Sequence, residues 1–423
     1  MANFLNGLQL PQLGGSEMVK QISKESIKFL SPQSTEWCDL NPIIPEDVPE
    51  EEKEKIKADS EAAQTVLKDY LLTSLQMQNL MVLSGSGTSR GPIVNGPSMD
   101  DLWNNIEKLP DDKGQELERA NIAAKINYSG ENNIEEFLSQ CEAFLQIYND
   151  EEVRSFYTLS KGKILSLCSF EITKENLISH TTFLHRLSRR RVRDARLKLF
   201  TTNYDLCFET AASIQGLIVI DGFSFTQPRR YDPRYFSYDI VRRPRTGEES
   251  GNYLEGVFQL YKLHGSVNWA RTSGEQTIKI KDNPEPSEAC LIYPAKGKYQ
   301  QSYNQPYLEL MAQYLSSLRE PNTCLIVIGF GFNDEHLAEP LLSAVTTNPH
   351  LRLIIVDYNA QNNVNGGTAS HYWTSLKDLA QKGYDIWFIN SSFEDFADII
   401  PDLKALTPAE QLLQNFRSLV GGQ

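Results

Sequence analysis

The chain has 423 residues, 40% of them hydrophobic and 23% charged, with a formal charge of −14. That is the composition of a globular protein with a sizeable core, and the negative balance argues against general affinity for nucleic acid. The longest apolar run, near Cys324 to Phe332, is too short to span a bilayer, and no basic stretch followed by an apolar one opens the sequence, so a cytoplasmic protein without membrane association is expected.

Six cysteines lie far apart with no C-x-x-C pair, which predicts reduced, mostly buried thiols and no zinc ribbon. The charge is uneven. Between Thr181 and Ser250 there are thirteen Lys and Arg against eight Asp and Glu, an excess of five positives that leaves about −19 for the rest. Such asymmetry suits self-assembly or an oriented partner.

Residues 1–44 mix apolar residues, Gly and Pro without a long period and predict an arm or a short helical segment. From Pro45 to Lys57 acids precede bases, the order favoured at the start of a helix, and the helix is expected to run to about Gln76. Residues 1–60 thus form an N-terminal helical arm. Asn79–Ser84 reads as a buried parallel strand that breaks into Gly85-Ser-Gly-Thr-Ser89. Two glycines with free amides and hydroxyls are the design of a phosphate cradle. The third glycine of G-x-G-x-x-G would fall at Arg90, so an ordinary Gly-rich turn is the alternative.

Residues 61–98 therefore open the core, and Ser98 followed by two acids reads as a helix N-cap. Residues 99–197 are helical in character, as in Ile134 to Leu145, with no strand signal of comparable strength, and predict a helical insertion. Its end, Arg186 to Lys198, is basic. A solvated helix face, a contact with another subunit and nucleic-acid binding are all open for it.

The core resumes over 198–423. Leu199-Phe-Thr-Thr-Asn-Tyr-Asp205 is a strand breaking into polar residues where an α/β sheet holds its ligand, although Asn and Asp are also turn formers. Phe223 to Arg245 reads as an irregular loop. Gly256 to Trp269 contains an apolar strand that stops at His264-Gly-Ser266; His264 could be a hydrogen-bonded structural residue or a catalyst, with Gly265 opening space for a ligand. A hairpin excursion over Arg271 to Tyr299 and a helix over Pro306 to Leu318 follow. Thr323 to Asp334 repeats the opening device through Gly329, and Leu351–Asp357 is a strand ending in an acid suited to ribose hydroxyls. Alternating helices and strands to Ile399 complete an α/β fold: a Rossmann-like, doubly wound parallel sheet.

Taken in order, Gly85-Ser-Gly-Thr-Ser89, Thr202-Asn-Tyr-Asp205, Leu263-His-Gly-Ser266, Ile328-Gly-Phe-Gly331 and Val356-Asp357 resemble the sirtuin family over roughly Leu75 to Ile400. The resemblance implies that NAD is bound as substrate, with Gly85, Ser86, Gly87 and Thr88 cradling its phosphates. It also implies that Asn203 holds the ribose and a water, that Asp205 shapes the nicotinamide pocket, that His264 is the catalytic histidine, and that Gly329 and Asp357 line the adenosine half. The family's paired zinc cysteines and its Gly-Ile-Pro-Asp-Phe-Arg stretch are missing, with Gly96 to Asp101 in the latter's place, so no metal and no zinc is expected.

The chain looks most similar to the zinc-free, sirtuin-like NAD hydrolases of bacterial antiphage defence, and to the subunit that assembles with a HerA-type hexameric ATPase. That resemblance implies a homo-oligomeric NADase controlled by assembly or a partner. The alternatives are an NAD-derived nucleotide sensor or scaffold without turnover, and a protein deacylase or ADP-ribosyltransferase.

Overall fold

The computed structural model describes residues 26–45, 47–91, 94–111, 114–130, 132–191, 194–243, 252–271, 277–291, 306–366 and 370–403. The leading part of the arm (1–25), the middle of the basic segment (192–193), the end of the Arg-rich loop (244–245) and much of the hairpin excursion (272–276 and 292–299) lie outside them.

Apolar β-branched runs build one nine-stranded sheet in the order Cys38–Asp39, Lys28–Leu30, Ile386–Asn390, Leu351–Asp357, Thr323–Ile328, Asn79–Ser84, Leu197–Thr201, Val257–Lys262 and Ile218–Ile220. The seven strands from Ile386–Asn390 onward are parallel. The first two are antiparallel, so residues 28–39 cover the sheet's edge as strands where the sequence suggested an arm or short helix. The helix follows as expected, over Glu50–Leu75.

Both faces of the central strands are apolar, and each face has its own core. Leu80, Val82, Ile326 and Ile354 pack with helices Glu50–Leu75, Ile178–Ser188, Cys207–Gln215 and Phe393–Ile399. Met81, Leu83, Val327 and Ile355 pack with helices Tyr307–Arg319, Glu335–Thr347 and Tyr372–Gln381. Alternate residues of one strand thus feed two helical layers, and the sheet is doubly wound. The chain leaves Asn79–Ser84 in one direction and returns to its other side at Thr323–Ile328, so the switch of strand order lies between these two strands, where such sheets hold ligands.

The insertion has a third core, in which Leu102, Trp103, Phe137, Phe156 and Cys168 pack with Tyr204, Val267 and Leu291 from the loops above the sheet. It differs from the all-helical reading in a small hairpin, Lys108–Pro110 with Glu116–Glu118. It is also shorter, since helix Ile178–Ser188 belongs to the sheet's own core. The basic segment after that helix proves largely internal. Arg190 is 4% exposed and donates to the carbonyls of Leu75, Met77 and Gln78, closing the end of helix Glu50–Leu75. Arg186 donates to Ile400 O, Arg196 forms a bidentate pair with Asp239, and Lys198 donates to Ser317 Oγ. These cations hold carbonyls and a carboxylate of their own chain, which corrects the reading of the whole segment as a docking stripe.

One buried group in this core carries a pH dependence. His180 packs edge-on against Phe208 and Phe393, and neither ring nitrogen has a partner among the described residues. Burial holds its imidazole down at about 4 against an ordinary 6.5, with Asp205 opposing. The unfolded chain takes up a proton near pH 6.5 that the folded chain refuses until about pH 4, so stability falls as pH drops through that window. His180→Leu should remove this loss, a difference on the order of 3 kcal/mol once fully developed. Urea midpoints at about pH 7.5 and about pH 4.5 measure it, and equal acid losses in the two proteins would clear His180 as the source.

Candidate active site

The two glycine turns meet at the switch of strand order. Gly85 N donates to Ile328 O and Gly87 N to Gly329 O, both at 3.0 Å. Gly329 has φ +60°, and a Cβ built on it would sit 2.7 Å from Thr88 N and 2.8 Å from Gly87. Only glycine fits there, because both the left-handed backbone and the contact exclude a side chain. Thr88 N and Ser89 N close the turn onto Gly85 O and Ser86 O. The amides of Gly85, Gly87, Thr88 and Ser89 are thus spent inside the turns, where the sequence suggested a cradle of free amides. Backbone groups buried by so close a contact must pair with each other.

The turn's hydroxyls reach the next strand end. Thr88 Oγ1 donates to Gly85 O, lies 2.9 Å from Ser84 Oγ and accepts from Asn203 Nδ2 at 3.1 Å. Ser89 Oγ accepts from Asn203 Nδ2 at 3.0 Å and donates to Asp205 Oδ2 at 2.8 Å. Both Nδ2 hydrogens of Asn203 are committed, so its acceptor Oδ1 is what remains for a ligand. Asp205 Oδ1 accepts from Cys207 N at the start of helix Cys207–Gln215.

From the other side, Lys262 holds the same loop. It is 3% exposed, and its Nζ donates to the carbonyls of Tyr204 and Asp205 and to Glu209 Oε1 at 3.0 Å. Burial pushes the Glu209 carboxyl up, and the Lys262 ammonium pulls it back. Two residues later His264 is buried with its Nε2 3.3 Å from Nε2 of His336, the two rings stacked at 26°. The strand reading that stopped at His264 needs correction. A second strand, Gly265–Ala270, follows at once and pairs in a separate three-stranded sheet with Lys279–Ile280 and Ala289–Leu291. Gly265, at φ +88°, serves that sheet, since a Cβ would lie 2.1 Å from Cys290 O; it does not line the cleft.

These groups surround a cavity of about 130 Å³. Gly85, Ser86, Asn203, Asp205, His264 and Gly329 line it. Gly87 and Thr88 stand behind the wall as supports. Asp357 does not line it either: its carboxylate accepts from Asn359 N and Asn363 Nδ2, and burial raises it. Ser89, Asn333, Asp334 and a wall from the insertion side (Met99, Leu102, Cys168, Phe170) complete the lining and were not singled out from sequence. Lys262 had a legible signal, a cation in a buried apolar strand. His336 had only its place in Asn333-Asp-Glu-His336 after a glycine turn. Among the described residues no group of three or more His, Cys, Asp or Glu could hold a metal ion.

A family model described as a SIR2-like domain matches residues 198–374. The span includes Asn203, Asp205, His264, Gly329, His336 and Asp357 and begins after the first glycine turn. Among solved structures, a Sir2 enzyme aligns at 10% identity and TM-score 0.35, covering 83% of this chain and 98% of its own. A Sir2 homologue variant in complex with ADP-ribose aligns at 14% and 0.33, covering 74% and 95%. A Sir2 variant with deacetylated p53 peptide and 3′-O-acetyl ADP-ribose aligns at 11% and 0.34, covering 79% and 96%. No curated protein matches the sequence.

The contact of the two turns is testable without a ligand. Gly329→Ala should cost at least about 2 kcal/mol of stability, from the left-handed backbone and the displaced Thr88 amide together. An unchanged denaturant midpoint would mean that the turns are not held in contact.

Proposed function

We propose that this chain is an NAD hydrolase that breaks the bond between ribose and nicotinamide. The observation that carries the reading is the convergence of Asn203, Asp205 and His264 on one cleft at the switch of strand order, beside two opposed glycine turns. The SIR2-like domain over 198–374 supports an NAD-dependent activity. The reaction consumes NAD and water and yields nicotinamide, ADP-ribose and a proton.

The pyridinium of NAD is already a good leaving group, so the protein must orient the ribose, stabilise charge and admit water. Asn203 presents Oδ1 to the attacking water, its amide fixed by the Thr88 and Ser89 hydroxyls. His264 accepts the proton from that water or from a ribose hydroxyl as general base. Asp205, oriented by Ser89 Oγ and Cys207 N, supplies the polar floor against which the nicotinamide is held. Gly85, Ser86, Gly87, Thr88 and Gly329 form the phosphate side through backbone proximity and the Ser86 side chain. Asp357 is the weakest member of the proposed set, held away from the cavity by its own turn.

At about 130 Å³ the cavity is smaller than the roughly 300 Å³ at which ligand pockets begin. A dinucleotide therefore enters only when the wall of Met99, Leu102, Cys168 and Phe170 moves outward. This favours an enzyme kept closed until needed, as a cytoplasmic NADase of antiphage defence must be, with a homo-oligomer or a HerA-type ATPase partner as the agent of opening. The same observation gives the sensor reading its place, since a closed cleft could also bind without turnover.

The deciding experiment is NAD consumption by the purified chain, alone and with a candidate ATPase, following nicotinamide and ADP-ribose by chromatography. Equal release of both is expected, with His264→Ala and Asn203→Ala each slowing it about 10²-fold or more while the fold is retained. Ligand stabilisation with no nicotinamide released in any assembly would overturn the hydrolase in favour of the sensor. Transfer of the ADP-ribosyl group to protein or an acyl group would overturn water as the acceptor.

A further inference from the structure

The imidazole beside His264 has no role in the sequence reading, yet its geometry constrains what His264 can do. His336 lies in the first turn of helix Glu335–Thr347, directly after Asn333 and Asp334 of the cleft lining. It is half-buried and does not itself line the cavity. Its Nε2 is 3.3 Å from Nε2 of His264, and the rings lie 5.4 Å apart at 26°. Two neutral imidazoles at this distance share one hydrogen: one nitrogen donates, the other accepts.

Which one donates follows from the task. If His264 accepted at Nε2, its hydrogen would sit on Nδ1, both nitrogens would be occupied, and the ring could take up no proton. If His264 donates Nε2–H to His336, its Nδ1 lone pair is available to act as a base. The tautomer of a working histidine is set by the hydrogen bond its other nitrogen makes. We infer that His336 is the positioning residue for His264, accepting its Nε2–H and so holding the ring in the one tautomer and orientation that leaves Nδ1 basic. This rests on His264 being the general base of the proposed reaction. When Nδ1 gains its proton, the Nε2–H of the resulting imidazolium becomes a stronger donor to the same acceptor, which stabilises the charged form as it appears.

The inference has a readout that needs no turnover. In the full chain with ¹⁵N-labelled histidine, at a pH where both rings are neutral, the ring nitrogens of His264 should show the hydrogen on Nε2. His336→Leu should spread His264 over both tautomers, and His336→Gln, whose side-chain oxygen can accept the same hydrogen, should restore one. In kinetics, His336→Leu is expected to lower kcat for NAD about 10- to 100-fold with KM changed less than about twofold, and His336→Gln to recover most of the loss.

A wild-type His264 carrying its hydrogen on Nδ1, or a tautomer population indifferent to His336→Leu, overturns the inference whatever the activity. Absence of NAD turnover in the wild type would instead sink the hydrolase reading, and the nitrogen shifts would still judge the pair.

Discussion

The site depends on one contact between two stretches of bare backbone. Gly85 and Gly87 on one side and Gly329 on the other approach so closely that each would drive an added Cβ into the opposite main chain. This contact sits where the strand order reverses, and the crossed bonds Gly85 N to Ile328 O and Gly87 N to Gly329 O lock the two central strands at their carboxyl ends. The neighbouring strand is tied to the same point, since Thr202 N donates to Ser84 O, and Thr88 and Ser89 supply the oxygens that hold Asn203. The glycines thereby set the position of the Asn203 amide from two strands away. Their role is architectural, and it accounts for the hydroxyl residues around them: once the amides face each other, only side chains are left to reach across.

The far side of the Asn203 to Asp205 loop is held by a different kind of bond. Lys262 is a buried cation amid apolar strand residues, and it places its three donors on Tyr204 O, Asp205 O and Glu209. Burying an ion pair recovers little net stability, because the desolvation of both charges offsets most of their attraction. What the pair contributes is position. The loop cannot turn over without leaving an ammonium and a carboxylate unpartnered in the core, so the Asp205 carboxylate stays directed at Ser89 and Cys207 N. The same strand delivers His264 two residues later, which couples the base and the pocket floor through one short segment.

Much of this could be read from the chain. The strands Asn79–Ser84, Thr323–Ile328 and Leu351–Asp357 were legible because an unbroken apolar run ending in Gly or Asp suits the buried centre of a parallel sheet and little else. The helices Glu50–Leu75 and Glu335–Thr347 carried their acidic first turns or periodic apolar faces. The edge strands Lys28–Leu30 and Cys38–Asp39 were not legible, because strands of three and two residues show no alternation and owe their existence to the partner Ile386–Asn390. The basic segment misled for a related reason. Charge density along a sequence does not reveal that Arg190 will find three carbonyls at a helix end formed over a hundred residues earlier. His336 and the insertion wall are products of tertiary approach alone.

The insertion's core makes a last constraint explicit. It is built against Tyr204, Val267 and Leu291, and so rests on the loops of the site more than on the sheet beneath. Tyr204 lies between Asn203 and Asp205, and its carbonyl accepts from Val267 N and Lys262 Nζ. The wall that limits the cavity and the loop that carries the polar groups therefore share one apolar cluster. Moving Met99, Leu102 and Cys168 far enough to admit a larger ligand disturbs the packing of Tyr204, and a ligand drawing on Asn203 and Asp205 favours one arrangement of that packing over another. Access and alignment are thus two consequences of the same contact, and whatever binds the outer surface of the insertion acts on both.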